Sequence, residues 1–193
     1  MRALYSTLIE KITENNLGLI VWICPETPNN VAGGLGQVAT YVPAKLAEYR
    51  WFVLQVGRGH PSEERKRNQF ILRDPYIPDQ IYPRGKEKEE AAIHSLAAFF
   101  EKISQELIKF IREVREGRSH LSPEFPAVMI AHDHFTEPAV MRSLDQLKAV
   151  GMKIVYEVHN EALGAHLGYL LSENPSVPTN TLKTEAKQAV KDD

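Results

Sequence analysis

The sequence predicts an α/β fold: a Rossmann-like, mostly parallel sheet with helices on both faces. Two observations carry that expectation. Short, continuous apolar runs rich in β-branched residues recur along the chain, as expected of strands buried on both faces. Between them lie longer stretches whose apolar residues return every three or four positions, the period of a helix. Strand, helix, strand, long helix, strand, helix, strand is an alternating order, and it calls for right-handed parallel crossovers.

The elements follow in order. Met1 to Asn16 reads as an amphipathic helix with Leu4, Leu8 and Ile12 on one stripe. "LGLIVWIC", Leu17 to Cys24, is the first strand, with Trp22 and Cys24 as core residues. "PETPNNVAGG" is a loop by its Pro, Asn and Gly content. A helix is expected from Leu35 to Tyr49. It contains Pro43, which costs about 3 kcal/mol in a helix interior and predicts a break after the first turns. "WFVLQVG" is the second buried strand and "RGHPSEERKRN" a polar loop. Gln69 to Arg84 contains Pro75, Pro78 and Pro83, so short, irregular or edge strands are expected there.

Lys86 to Gly117 reads as a long helix. Ile93, Leu96, Phe100, Ile103, Leu107, Phe110 and Val114 form its apolar stripe, which is expected to pack on the sheet rather than on a partner. "PAVMIAH" is the third buried strand. Glu137 to Gly151 is a helix, with Pro138 tolerated near its first turn and Gly151 at its end. "KIVYEVHN" is the fourth buried strand. Residues 1–171 are expected to form the domain and 172–193 a polar tail or linker.

The bulk properties narrow the function. The net charge of −2 is spread along the chain, which gives no support for a nucleic-acid groove or an anionic membrane surface. The apolar runs are too short to span a bilayer. Cys24 is the single cysteine, so no internal disulfide forms, which suits a cytoplasmic protein.

In an open parallel sheet, ligands bind beyond the carboxyl ends of the strands. Three segments of the sequence fall there: the turn carrying Gly33, Gly34 and Gly36, the "HDH" of His132, Asp133 and His134, and the pair His159–Asn160. A glycine turn opening a helix exposes backbone N–H groups and the positive end of a helix dipole, a seat for phosphate. The same glycines also suit a tight turn that lets helix and strand pack closely. It is neither a dinucleotide fingerprint nor a P-loop. Asp133 reads either as an acceptor for a hydroxyl-rich ligand or as the cap of the next helix. His132 and His134, with His159 or Asp133, have the donor types for zinc, but no other cluster has ligand spacing. Glu157 is either on a solvated face or buried and paired.

Together these segments resemble the N-terminal domain of bacterial and archaeal glycogen and starch synthases. "PETPNNVAGGLGQVATYVPAKLAEY" is similar to the family's first loop and helix, where K-x-G-G-L precedes a helix containing Pro. Gly33, Gly34, Leu35, Pro43 and Leu46 fall in register. "PAVMIAHDHFTEPAV" is similar to the H-x-H-D-W segment, and "KIVYEVHN" to the strand ending in T-x-H-N. The three occur in the family's order.

The resemblance implies one half of a GT-B glycosyltransferase. Such an enzyme moves glucose from ADP-glucose or UDP-glucose to an α-1,4-glucan with retained configuration, without a metal or other cofactor. It implies catalytic roles for Asp133 and His159, and donor contacts from Gly33, Gly34 and Asn160. The second domain, which in this family holds the nucleotide, is expected from a separate chain or a missing segment.

The sequence departs from the family where Val31 and Ala32 stand in place of the lysine before the glycines, and where His134 stands in place of tryptophan. A lost phosphate-facing cation costs about 2–4 kcal/mol of transition-state binding. That departure supports a second expectation, a non-catalytic glucan-binding or regulatory module. A third is a metal-dependent hydrolase built on His132, His134 and His159.

Overall fold

The computed structural model describes residues 2–28, 34–59, 64–74, 86–133 and 135–157. All lie in one compact unit, Met1–Glu157, so the expected domain end at residue 171 falls outside the described residues. The unit is α/β and Rossmann-like. Its six-stranded sheet has the order β3-β4-β2-β1-β5-β6. The strands are β1 (Gly18–Ile23), β2 (Trp51–Arg58), β3 (Glu64–Lys66), β4 (Gln69–Asp74), β5 (Ala127–His132) and β6 (Lys153–Glu157). Only β3 runs antiparallel.

Strand β1 shows why its sequence is apolar throughout. It pairs with β2 on one side, Leu19 opposite Phe52, and with β5 on the other, Leu19 opposite Ala127. Both faces are also covered. Leu19, Val21 and Ile23 enter the larger core. Helices α1 (Arg2–Leu8), α3 (Lys86–Arg115), α4 (Glu137–Met141) and α5 (Leu144–Ala149) contribute to that core. Ile20, Trp22 and Cys24 enter a smaller core beneath α2 (Gly34–Leu46), with Leu35, Ala39 and Val53.

The stripe of α3 is buried along its length, from Leu96 through Phe100, Ile103, Leu107 and Phe110 to Val114, so it is a sheet-covering helix as expected. The first helix also keeps its stripe, with Leu4, Leu8 and Ile12 buried. After Leu8 it widens into a π-helical turn, Ile9–Thr13. Leu17 N–H continues that wide spacing by bonding Ile12 O at 3.1 Å.

Helix α2 corrects the expectation of a break, since it runs through Pro43 to Leu46. A proline has no N–H for the carbonyl four residues back, here Ala39. Gln55, from the middle of β2, supplies the missing donor: its Nε2 donates to Ala39 O at 2.8 Å. Gln69 Nε2 donates in turn to Gln55 Oε1 at 3.1 Å. Both glutamines are buried. A helix defect and two strand polar groups therefore satisfy one another inside the core.

Four other expectations are corrected. Glu64–Lys66, read as loop, forms the edge strand β3. Gln69–Asp74, read as irregular or edge, is an interior strand buried along its length; its prolines begin only at Pro75, after the strand has ended. The helix over 137–151 is two helices. Ser143, between them, has its hydroxyl 2.7 Å from that of Ser104 on α3, so it gives α5 no side-chain cap. Gly151 takes φ 81 and stops α5, as its position suggested. Finally, β6 is not buried: it pairs only with β5 among the described residues, and Val155 and Tyr156 are exposed.

Two predictions test this packing. Replacing Gln55 with Leu strands the Ala39 carbonyl and the Gln69 amide, costing about 3 kcal/mol in urea denaturation. Pro43→Ala restores an N–H for Ala39 O. It should therefore be more favourable in the Gln55→Leu background than in wild type, by about 1 kcal/mol in a double-mutant cycle. The second prediction concerns Tyr5, whose hydroxyl donates to Glu113 on α3. That bond, then burial, pushes its phenol from 10.0 up to about 12. The folded value is the raised one, so the stabilisation is complete below pH 10 and disappears as pH rises towards 12. Spectrophotometric titration should lose this late phase in Tyr5→Phe.

Candidate functional site at the carboxyl edge of the sheet

The chain leaves β1 for β2 on one side through α2, and reaches β5 on the other through α3. The winding direction therefore reverses at β1, and the crevice of an open α/β sheet belongs beyond the carboxyl ends of β1 and β5. The ends of five parallel strands and the start of α2 lie along that rim. An unusual number of polar and charged side chains are buried there: Glu26, Arg58, Arg73, Asp74, His132 and Asp133.

At the end of β5 the backbone is tightly held. Asp133 has φ 60, a left-handed conformation that is costly for most residues and tolerated by Asp and Asn. Its N–H donates to Glu157 O at 3.0 Å. Its carbonyl accepts from Thr136 N–H at 3.0 Å. The Thr136 hydroxyl lies 2.9 Å from His132 O and 3.0 Å from Asp133 O, sharing its proton between them. The surrounding bonds fix a residue whose own preferences lie elsewhere. Thr136, not Asp133, occupies the N-cap of α4, so the capping reading of Asp133 fails.

His132 is fully buried. Its ring lies against Trp22, with centroids 4.2 Å apart and planes tilted by 34°. Its Nδ1 is 3.4 Å from Glu157 Oε2. Glu157 is therefore partnered on a half-exposed face, a combination of the two alternatives the sequence left open. The Trp22–His132 contact joins the ends of β1 and β5 directly.

Cys24 is fully buried. Burial pushes its thiol well above the ordinary range, and the carboxylates of Glu26 and Asp133 push the same way, against a hydrogen bond from the Glu26 backbone. The thiol is thus a core group rather than a nucleophile. The Tyr156 phenol is raised first by partial desolvation, although the residue is 41% exposed, and then by Glu137 and Asp133.

On the other side of β1, Arg58 and Asp74 are register partners at the ends of β2 and β4. Arg73 reaches from β4 to the segment that follows β1. Gly57 makes room for that segment: a Cβ there would lie 2.4 Å from both Cys24 O and Thr27 Cγ2.

Sequence reasoning named Gly34 and Asp133, and both lie on this rim: Gly34 opens α2 and Asp133 follows β5. Gly33, His134, His159 and Asn160 fall outside the described residues. Glu26, Arg58, Arg73 and Asp74 were missed. Their signal was a charged residue directly after an apolar strand run, as in "VGR" and "FILRD". Among the described residues no group of three or more His, Cys, Asp and Glu is placed to hold a metal ion. A groove of about 1050 Å³ opens at the opposite rim, lined by Tyr49, Trp51 and Arg67 among others, and it includes none of these residues. No described helix is long and apolar enough to cross a membrane. No family model and no curated protein matches the chain.

The backbone at Asp133 yields a prediction with an inverted order. At an ordinary strand position Ala is more stable than Gly. Here Asp133→Gly should exceed Asp133→Ala by about 1–2 kcal/mol in thermal denaturation, because only glycine adopts positive φ without penalty.

Proposed function

We propose that the chain is the N-terminal half of a GT-B glucosyltransferase of the glycogen and starch synthase type. It would act in the cytoplasm on a nucleotide sugar and an α-glucan, with the second half of the cleft supplied by another domain. One observation carries the reading. Asp133, buried and held in a left-handed conformation, lies on the same rim as the Gly34 end of α2, across the reversal point at β1.

A diphosphate set against the first turn of α2 meets unpaired N–H groups and the positive helix end. Charge building on the leaving diphosphate is then stabilised without a metal. A carboxylate beneath the same crevice accepts hydroxyl hydrogens from the glucose being moved. His159, with Asn160, would complete the sugar contacts.

The expected result is transfer of labelled glucose from ADP-glucose or UDP-glucose to glycogen when the missing domain is supplied. Asp133→Asn should lower it at least about a hundredfold while leaving the melting temperature nearly unchanged. Absence of transfer with either donor and every candidate partner domain would overturn the proposal. A second reading, a glucan-binding module without turnover, draws on Val31 and Ala32 at the family's lysine position. Calorimetric binding of maltoheptaose in the absence of any transfer would favour it.

A further inference from the structure

We propose that Arg73 is the positioning residue for residues 25–28, which lead from β1 towards α2, and through them for the donor site; its ligand rests on the proposed function, its geometry does not. Residues 25–28 leave β1 and lead towards α2. They are tied down from β2 and, one strand further out, from β4. Arg58 N–H donates to Pro25 O at 3.1 Å. Thr27 Oγ1 donates to Arg58 O at 3.1 Å. From one strand further out, Arg73 donates Nε–H to Thr27 Oγ1 at 3.0 Å and Nη2–H to Pro28 O at 2.9 Å. The Thr27 hydroxyl is thus donor to one strand and acceptor from the next, which uses its proton and a lone pair together.

The geometry needs arginine rather than charge alone. A guanidinium is a rigid planar fork and can meet a hydroxyl and a carbonyl at once, whereas an ammonium on a flexible stem is a point donor. Arg73 is only 7% exposed. It therefore acts through the segment it holds, and is not a surface cation waiting for a ligand. The tightness at Gly57 agrees, since Thr27 and the Cys24 carbonyl occupy the space a side chain there would take. From Pro25 to Leu35 the chain has no Lys or Arg of its own. Arg73 brings a cation against the base of that stretch from β4.

The test compares wild type with Arg73→Lys, Arg73→Met and Thr27→Val in two measurements. Hydrogen exchange of peptides covering residues 25–28 needs no ligand. Both Arg73 variants should exchange there about tenfold faster, Thr27→Val less so, with β1 and β5 peptides unchanged. Calorimetric titration with ADP and with UDP, with the second domain supplied as in the transfer assay, gives the second readout. Arg73→Lys should fail to rescue affinity, binding about tenfold more weakly than wild type despite keeping the charge.

Unchanged exchange at 25–28 in Arg73→Met overturns the inference. So does full recovery of nucleotide affinity by Arg73→Lys, and so does faster exchange spread evenly over the sheet, the mark of a merely structural arginine. If no glucose is transferred with any candidate second domain while exchange at 25–28 still depends on Arg73, the proposed function fails and the positioning role stands. Thr27→Val keeps the test open if Arg73→Met does not fold.

Discussion

The pairing of β1 on both edges and its burial on both faces is the constraint on which the rest of the molecule depends. A strand enclosed in this way can carry no charge along its length, so its polar chemistry is deferred to the residues just after it. The strands beside it face the same requirement. Buried ionic and polar groups therefore collect in one layer at the carboxyl rim, while the body of the sheet is filled by aliphatic and aromatic side chains. Gln55 and Gln69 are exceptions, and they are there because a proline in the helix above left a carbonyl without its donor.

Burying a charge costs several kcal/mol unless partners surround it. The rim meets that cost by linking its members across strands: Arg73 to the segment after β1, His132 to Glu157, and Arg58 beside Asp74 in register. Such a layer is stiff. Arg73 and His132 are each oriented by a partner on another element, Thr27 and Pro28 for one and Glu157 for the other. This is the arrangement expected where a reacting group must be held in place before its ligand arrives.

Much of the fold could be read from the chain because burial on two faces leaves an unmistakable apolar run, as at Leu17–Cys24; β5 keeps such a run although Val128 and Ile130 on one face are only partly buried. The long stripe of α3 was equally plain. Local signals failed where a tertiary contact overrode them. Pro43 predicted a break, and only Gln55, distant in sequence, explains why the helix continues. Ser143 gave no sign that Ser104 would engage its hydroxyl and divide a helix. At the rim, Asp133 could be found because it sits beside histidines in a suggestive cluster. Arg73 could not, because its importance lies in reaching across a strand to Thr27, and spacing along a sequence does not encode that reach.

The pairing of Leu19 with Ala127 also bears on how the molecule is assembled. β1 and β2 are joined by a short crossover, but β5 is separated from β1 by β2, β3, β4 and the whole of α3. Closing so distant a contact is slow, because the entropy of the intervening chain is lost before the pairing repays it. The β1–β5 pairing spans more of the chain than any other in the sheet, so the rim that carries both Asp133 and the start of α2 depends on its least local contact.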